Sequence, residues 1–497
     1  MKSLAPLDYF VITAYLFAIA AIGSSFYRRK STAREYFLGG RAMSWLPVGI
    51  SIIAADLSAI TVMGSPAWAF RHNLELVWTS VGYPLAAPIA ILVFVPFYSR
   101  LPLYTAYEYL ERRFDLKVRL FTSLLFQILR GMHVAVVIYA PALVIHLITG
   151  LPGWQCIFLM GGFTTLYTTL GGVKAVIWTD VLQFTAVSVG IVVILVAALA
   201  SVPGGLPAAW RAAAAAGKLH HLNLSLDPSQ LTSLWACVIG GLVLALGPLT
   251  TDQAVLQRLF TTKSSRDCRQ SILVQAVIVV PLSVVLSLVG TALFAFYHFH
   301  PARLAGVPFS DDIVPFFAMR ELPAGLSGLV IASLFSASMA VMSAGINSLT
   351  TATTIDFYQR LYRPGREATH YGWVGRLGTL AWGAVVTCLA LYADRLGELA
   401  LAYNKVSSVI TGPMLGIFLL ASLTRRATAN GVLAGALAGG IAVAIVSAAT
   451  DWSFFLFGPV GVAVTLLAGF GASLLQAPPA EQRVRGLVVG YGEPGAA

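Results

Sequence analysis

The sequence predicts an all-α integral membrane protein with about thirteen transmembrane helices. Of its 497 residues, 58% are hydrophobic and only 11% charged, where a soluble chain carries about a quarter charged residues. Apolar stretches of the ~20 residues that one bilayer crossing needs recur from Leu7 to Leu475 with short polar interruptions. The basic residues gather in those interruptions. The net charge of +11 therefore reads as the loop bias of a membrane protein, and no nucleic-acid partner is expected.

Apolar windows set against charged or Gly/Pro breaks give spans 1 to 13 at 7–27, 46–70, 75–97, 119–149, 153–170, 173–202, 231–258, 269–297, 324–355, 371–393, 396–424, 427–449 and 452–476. Span 1 sits where a signal peptide would, but it is long, has only Lys2 before it and is followed by Arg28-Arg29-Lys30. That pattern argues for a retained helix with its N-terminus outside. From that start, 23 basic residues fall on the inner side and seven outside, with Arg130 and Lys405 inside spans. An odd error in the span count would destroy this asymmetry. The expected location is the plasma (inner) membrane, multi-pass, with the C-terminus cytoplasmic. Cys156, Cys237 and Cys388 lie in apolar segments and Cys268 in a basic loop, so all four read as reduced packing residues.

Spans 2–6 and 7–11 are two runs of five, and an odd number of crossings inverts the second run relative to the first, as in many secondary transporters. The expected organisation is an N-terminal helix and loop (1–45), repeat 1 (46–202), an extracellular loop (203–230), repeat 2 (231–424), two C-terminal helices (425–476) and a cytoplasmic tail (477–497). The first helix of each run carries helix-breaking residues at depth. Span 2 has Ala54-Ala55-Asp56-Leu57-Ser58, then Thr61, Gly64, Ser65 and Pro66; span 7 has Gly240-Gly241 and Gly247-Pro248-Leu249-Thr250-Thr251-Asp252-Gln253. Irregular backbone at membrane depth is tolerated only where it lines a cavity or is buried in protein. The stretches Ala54 to Ser58 and Gly247-Pro248 are therefore expected to be non-helical and to face one cavity. A proline kink satisfied by neighbouring helices is the alternative for either helix alone.

Several motifs add a family resemblance. Tyr36-Phe37-Leu38-Gly39-Gly40-Arg41, Thr105-Ala106-Tyr107-Glu108-Tyr109-Leu110-Glu111-Arg112-Arg113-Phe114, Gly171-Gly172-Val173-Lys174-Ala175-Val176-Ile177-Trp178-Thr179-Asp180, Thr251-Asp252-Gln253 with Gln257-Arg258, and Asn347-Ser348 followed by Asp356-Phe357-Tyr358 resemble the sodium/solute symporter family over spans 1–9. Val136 to Leu143 looks most like the branch with multivitamin, monocarboxylate and iodide carriers. The resemblance implies a LeuT-type five-plus-five inverted-repeat core with extra helices at both ends.

It also implies a coupling-ion site between spans 2 and 9, with carbonyls of Ala54, Leu57 and Ala337. Unwound backbone suits a hard cation because it supplies oxygen ligands without buried charge. The two hydroxyl positions of the family pattern fall on Ala340 and Val341, which cannot coordinate an ion, with Ser336 on the same face as a substitute if the helix is shifted. Asp56, where sodium/proline carriers also have an aspartate, is expected to be a Na⁺ ligand or proton acceptor, or else a half-helix cap. Asp180 matches an aspartate that some members use in a second sodium site. Of its span 9 hydroxyl partners, Ser343 is present and Ala344 is not. Alternatively, Asp180 pairs with a basic residue near the inner face.

For the solute, the resemblance points to Thr61, Asp252 and Gln253. Thr61 stands where sugar carriers have glutamine, which favours a small organic anion. Arg130 lies about 16 Å along its helix from Arg119, with His133 three residues on. An arginine at that depth needs an anion: Asp56 or Asp180, or the solute. Trp68, Trp78, Tyr83 and Tyr403 are possible gates or simply packing residues. The leading expectation is a Na⁺-coupled symporter of a small solute, with H⁺ coupling or an ion-independent carrier as alternatives. No cofactor is expected. A solute sensor would usually carry a signalling domain, and the segment after Gln476 is about twenty residues. An enzyme is disfavoured because no His cluster, nucleophile elbow or phosphate loop is present.

Overall fold

A computed structural model describes residues 4–27, 31–304, 312–392 and 399–492. Among them, eleven helices are long and apolar enough to cross a membrane, and the bent pair Trp45–Asp56 and Ala59–Arg71, at 65°, makes twelve. One of these, Gly153–Ala200, has 48 residues and would be about 72 Å long if straight, more than twice the ~30 Å hydrocarbon core. It is two antiparallel spans. Gly172 has φ 59° and ψ −160°, a conformation closed to side chains, and an added Cβ would meet the Tyr36 carbonyl at 2.7 Å. Beyond the turn, Gln183 Nε2 donates to the Tyr167 hydroxyl at 3.4 Å, although sixteen residues of one helix would separate them by about 24 Å. Divided there, the described residues form thirteen membrane segments, at the positions expected from hydropathy.

Span 9 (Leu326–Ala352) is the most enclosed of them, buried along almost its whole length. It contains the cation-site positions Ala337, Ala340, Val341 and Ser343. Its first turn is held by Asp8 of span 1 (Pro6–Ser25), whose carboxylate accepts from Gly325 N at 2.7 Å and Gly328 N at 2.8 Å, and from Ala5 N at 2.9 Å. One buried side chain thus satisfies the first-turn amides of two helices. Asp8→Ala is expected to cost about 1–2 kcal/mol, read as a lower Tm of the detergent-solubilised protein. An unchanged Tm would show the clamp to be dispensable.

The connections rich in arginine meet at one end of the bundle, the basic end. There Arg41 Nη2 donates to the Leu103 carbonyl at 3.1 Å, and Arg113 donates to the Ala421 and Thr424 carbonyls at 3.2 and 2.7 Å. Arg119 of span 4 (Leu116–Thr149) pairs with Asp356 and Glu111, both at 2.7 Å. Thr105 and Ser123 complete the shell of Asp356. The segment after Gln476 packs against this end: Val484, Leu487 and Val488 are buried, and the Tyr109 hydroxyl donates to the Leu487 carbonyl at 2.8 Å.

Candidate functional site

The break in span 2 is narrower than the stretch 54–58. Helix runs through Asp56 and resumes at Ala59. At Leu57 ψ is 85°, and two amides leave their helical acceptors. Ser58 N bonds the Asp56 carbonyl at 3.2 Å instead of Ala54, and Thr61 N bonds the Ser58 carbonyl at 3.0 Å instead of Leu57. The Ala54 and Leu57 carbonyls are thereby released from the helical ladder. The second half-helix is capped by Ser58, whose hydroxyl accepts from Thr61 N at 3.3 Å. Asp56 is not the cap; its carboxylate accepts from Gln275 Nε2 at 3.0 Å.

Span 7 differs more from expectation. Gly247 and Pro248 are helical within Leu234–Thr251, and the break falls at Asp252, before Gln253–Phe260. Thr250 and Thr251 hydroxyls bond the Leu246 and Gly247 carbonyls around the proline, an accommodation common in membrane helices. The break itself is held from outside the span. The Tyr98 and Tyr107 hydroxyls donate to the Thr250 and Thr251 carbonyls at 2.6 and 3.0 Å, occupying the last acceptors of the first half-helix. Asp252 caps the second, accepting from Ala254 N at 2.7 Å. Gly240-Gly241 is likewise no interruption: Gly241 lies so close to span 3 that an added Cβ would sit 2.2 Å from the Thr79 carbonyl.

Arg130 pairs with neither Asp56 nor Asp180. Its Nη1 reaches Asp252 Oδ2 at 3.6 Å and His133 Nδ1 at 3.0 Å, because span 4 turns this face to the break in span 7. Arg130 is 5% exposed, yet its Nε and Nη2 have no hydrogen-bond partner. These two nitrogens form one edge of the guanidinium, the edge that grips a carboxylate side-on. The charges acting on Asp56 are those of Arg130, Asp252 and Arg258, so both half-helix breaks contribute an aspartate to one neighbourhood around Arg130. Asp56, Leu57, Thr61, Ser65, Ser80 and Tyr83 line a cavity between spans 2, 3 and 8.

Gln253 is not on this cavity. Its amide donates to the Tyr104 carbonyl at 2.7 Å and accepts from Ala106 N at 3.1 Å, clamping the connection after span 3. Trp78 donates to the His221 carbonyl at 2.6 Å, and Trp68 stacks on His72 with ring centroids 4.2 Å apart. The Tyr403 side chain lies outside the described residues, as does that of Lys405.

Asp180 pairs with a basic residue, Arg258. Oδ2 accepts from Arg258 Nη2 at 2.8 Å and Ser51 at 2.5 Å, while Oδ1 has no partner. Gln183 Oε1, one turn on, is equally unpaired. Tyr167 donates to the Met339 carbonyl at 3.2 Å and interacts with Ser343, whose hydroxyl bonds the Ala340 carbonyl at 3.0 Å. Tyr167 and Gln183 are oxygen-bearing neighbours that sequence reasoning missed; only their spacings from Asp180, thirteen residues before it and three after, could have suggested them. Earlier along span 9, Ala340 and Val341 are fully enclosed, and Ser336 turns its hydroxyl back to the Ala332 carbonyl at 2.6 Å.

Comparison with known proteins places this geometry. Residues 36–439 match the model of the sodium:solute symporter family. The chain is 33% identical over 479 residues to the sodium/sialic acid symporter NanT of Aliivibrio fischeri, covering 94% of this chain and 93% of the relative. It is 30% identical over 447 residues to the human sodium-coupled monocarboxylate transporter 2, covering 88% and 71%. A solved Na⁺-coupled sialic acid symporter, in a substrate-bound outward-open state, superposes with TM-score 0.88 at 29% identity over 95% of this chain and 99% of that one. The transporter Mhp1, at 12% identity and TM-score 0.57 over 92% of this chain and 98% of its own, shares the fold. The chain belongs to the sodium:solute symporter family, whose members are transporters and not enzymes, and it is a multi-pass membrane protein that carries a small solute.

Proposed function

We propose that the solute is a small organic carboxylate, carried into the cell by alternating access of the two five-span repeats (46–202 and 231–424). The observation that carries this reading is the buried, unpaired Nε–Nη2 edge of Arg130 beside the span 7 break. A desolvated guanidinium edge with no acceptor is costly until a carboxylate supplies one. Asp252 would orient the guanidinium through Nη1, and Thr61 and Asp56 would line the path from the cavity. Both sialic acid and monocarboxylates, the solutes named for the relatives, are acids. The basic end is proposed to be cytoplasmic, with the N-terminus outside.

For the coupling ion, the released Ala54 and Leu57 carbonyls support a Na⁺ held with Ala337. The unpaired Asp180 Oδ1, with Ser343 in the neighbourhood, supports a second cation position. Because Ala340 and Val341 offer no oxygen, the first position is proposed to hold Na⁺ weakly, and H⁺ coupling through Asp56 or Asp180 is the competing reading. The test is uptake into proteoliposomes of labelled sialic acid, lactate and glucose, with Na⁺ and pH gradients imposed separately. Na⁺-driven uptake of an acid, without glucose uptake, is expected. Uptake of glucose in preference to both acids would overturn the carboxylate reading. In the same assay Ala340→Ser with Val341→Thr is expected to lower the Na⁺ concentration for half-maximal uptake about tenfold, the effect of roughly one added ligand interaction of 1.4 kcal/mol. Unchanged, tight Na⁺ dependence would place the ion elsewhere.

A further inference from the structure

A second, strongly polar cavity opens at the basic end, where Arg34, Arg41, Lys263, Ser265, Thr262 and Ser99 converge from three separate segments. Their convergence is built in. Arg41 is the only non-glycine residue with positive φ among the described residues, at 55°, and follows Gly39 and Gly40, which are also left-handed. Such a conformation is costly for an arginine. The connection after it is then bonded to the span 7–8 loop, Met43 N to the Thr261 carbonyl at 3.0 Å and Lys263 N to the Met43 carbonyl at 3.1 Å, which fixes Lys263 relative to Arg41.

Three cations face this cavity and no acidic residue is among those lining it. Of the acids close in sequence to the lining residues, Glu35 is engaged with Thr32 in the cap of Ala33–Leu38, and Asp267 is turned to the Ser264 hydroxyl as part of the cap of Ser265–Phe299. Arg41 donates to a neutral carbonyl, that of Leu103. Burial first, and then the neighbouring Arg34 charge, push Arg41 below the ordinary arginine range, with Tyr104 and Glu108 opposing them only in part. Ser265, the first residue of a 35-residue helix, adds the positive end of that helix.

We propose that this cavity binds a phosphate group, presented either by the headgroup of an anionic phospholipid or by a soluble phosphate. A fork of arginines with a lysine matches a tetrahedral oxyanion, and basic pockets between membrane helices take up anionic headgroups. The cavity is separate from the solute site and independent of the carboxylate reading.

The full-length protein in mild detergent is titrated with phosphatidylglycerol, phosphatidylcholine and inorganic phosphate, and binding is followed by native mass spectrometry and thermal shift. Arg34 and Lys263 are both exposed, so R34Q/K263Q is expected to fold normally. At about fivefold per basic group it should lose phosphatidylglycerol affinity about 30-fold. R266Q/R269Q, in the first turns of Ser265–Phe299 but not among the residues lining the cavity, is expected to lose much less. Preference for phosphatidylglycerol over phosphatidylcholine, lost only in R34Q/K263Q, supports a lipid source. Binding of inorganic phosphate alone, lost in the same variant, supports a soluble source. Equal losses in both variants, or no binding of either probe, would overturn the proposal.

Discussion

Arg130→Gln is expected to weaken carboxylate binding about 100-fold while leaving the protein folded and able to bind Na⁺. Truncating one side of a buried, charge-assisted pair costs on the order of 3 kcal/mol, and 1.4 kcal/mol is a factor of ten. The loss should appear in the solute concentration for half-maximal uptake. Folding is expected to survive because the Asp252 side chain is 21% exposed and keeps its cap to Ala254. The competing view makes Arg130 merely the counter-charge of Asp252. It predicts that R130Q/D252N, which removes both charges, restores solute affinity. The carboxylate reading predicts that the double variant stays impaired. Arg130→Lys is informative too, since an ammonium keeps the charge but lacks the planar fork; it should recover part of the affinity. Near-normal affinity of Arg130→Gln for every acid tested would remove Arg130 from the solute site.

Span positions were legible because hydropathy and loop charge depend on each segment alone, and Gly171-Gly172 marked the hairpin that joins two apolar runs. The break in span 7 was legible only in outline. Its proline is the strongest local signal, yet the chain breaks at Asp252, where Tyr98 and Tyr107 take the last carbonyls. Both tyrosines lie about 150 residues away in the chain, and no pattern within span 7 records them. Arg130 posed a similar problem. Its depth was readable, but choosing among Asp56, Asp180 and Asp252 requires the rotation of each helix, and Asp180 was already matched by Arg258. That Ala340 and Val341 carry no hydroxyl is plain from the residues themselves, whereas their place at the family's hydroxyl positions rests on the ungapped register of one enclosed helix.

Asp56→Asn is expected to cut coupled uptake at least about tenfold without destabilising the protein. A carboxylate at membrane depth costs about 2.5–3.5 kcal/mol on insertion scales, so its retention calls for a use. Capping is not that use, since Ser58 accepts from the Thr61 amide. The hydrogen bond with Gln275 is not sufficient either, because an asparagine carbonyl would accept the same amide proton. What the substitution removes is the charge on the wall of the cavity, next to the carbonyls of Ala54 and Leu57 that the break releases. With those carbonyls and Ala337 as the remaining oxygens, and alanine and valine at the hydroxyl positions, a Na⁺ there would depend on Asp56 more than in a relative with a full hydroxyl pair. Two outcomes separate the ions. A Na⁺-coupled carrier should need about ten times more Na⁺ for half-maximal uptake after Asp56→Asn, the equivalent of about 1.4 kcal/mol, and Ala340→Ser with Val341→Thr should recover part of that loss. A proton-coupled carrier should lose stimulation by an imposed pH gradient and gain nothing from the restored hydroxyls. If Asp56→Asn transports at the parent rate with the parent's Na⁺ and pH dependence, the carboxylate has no part in coupling.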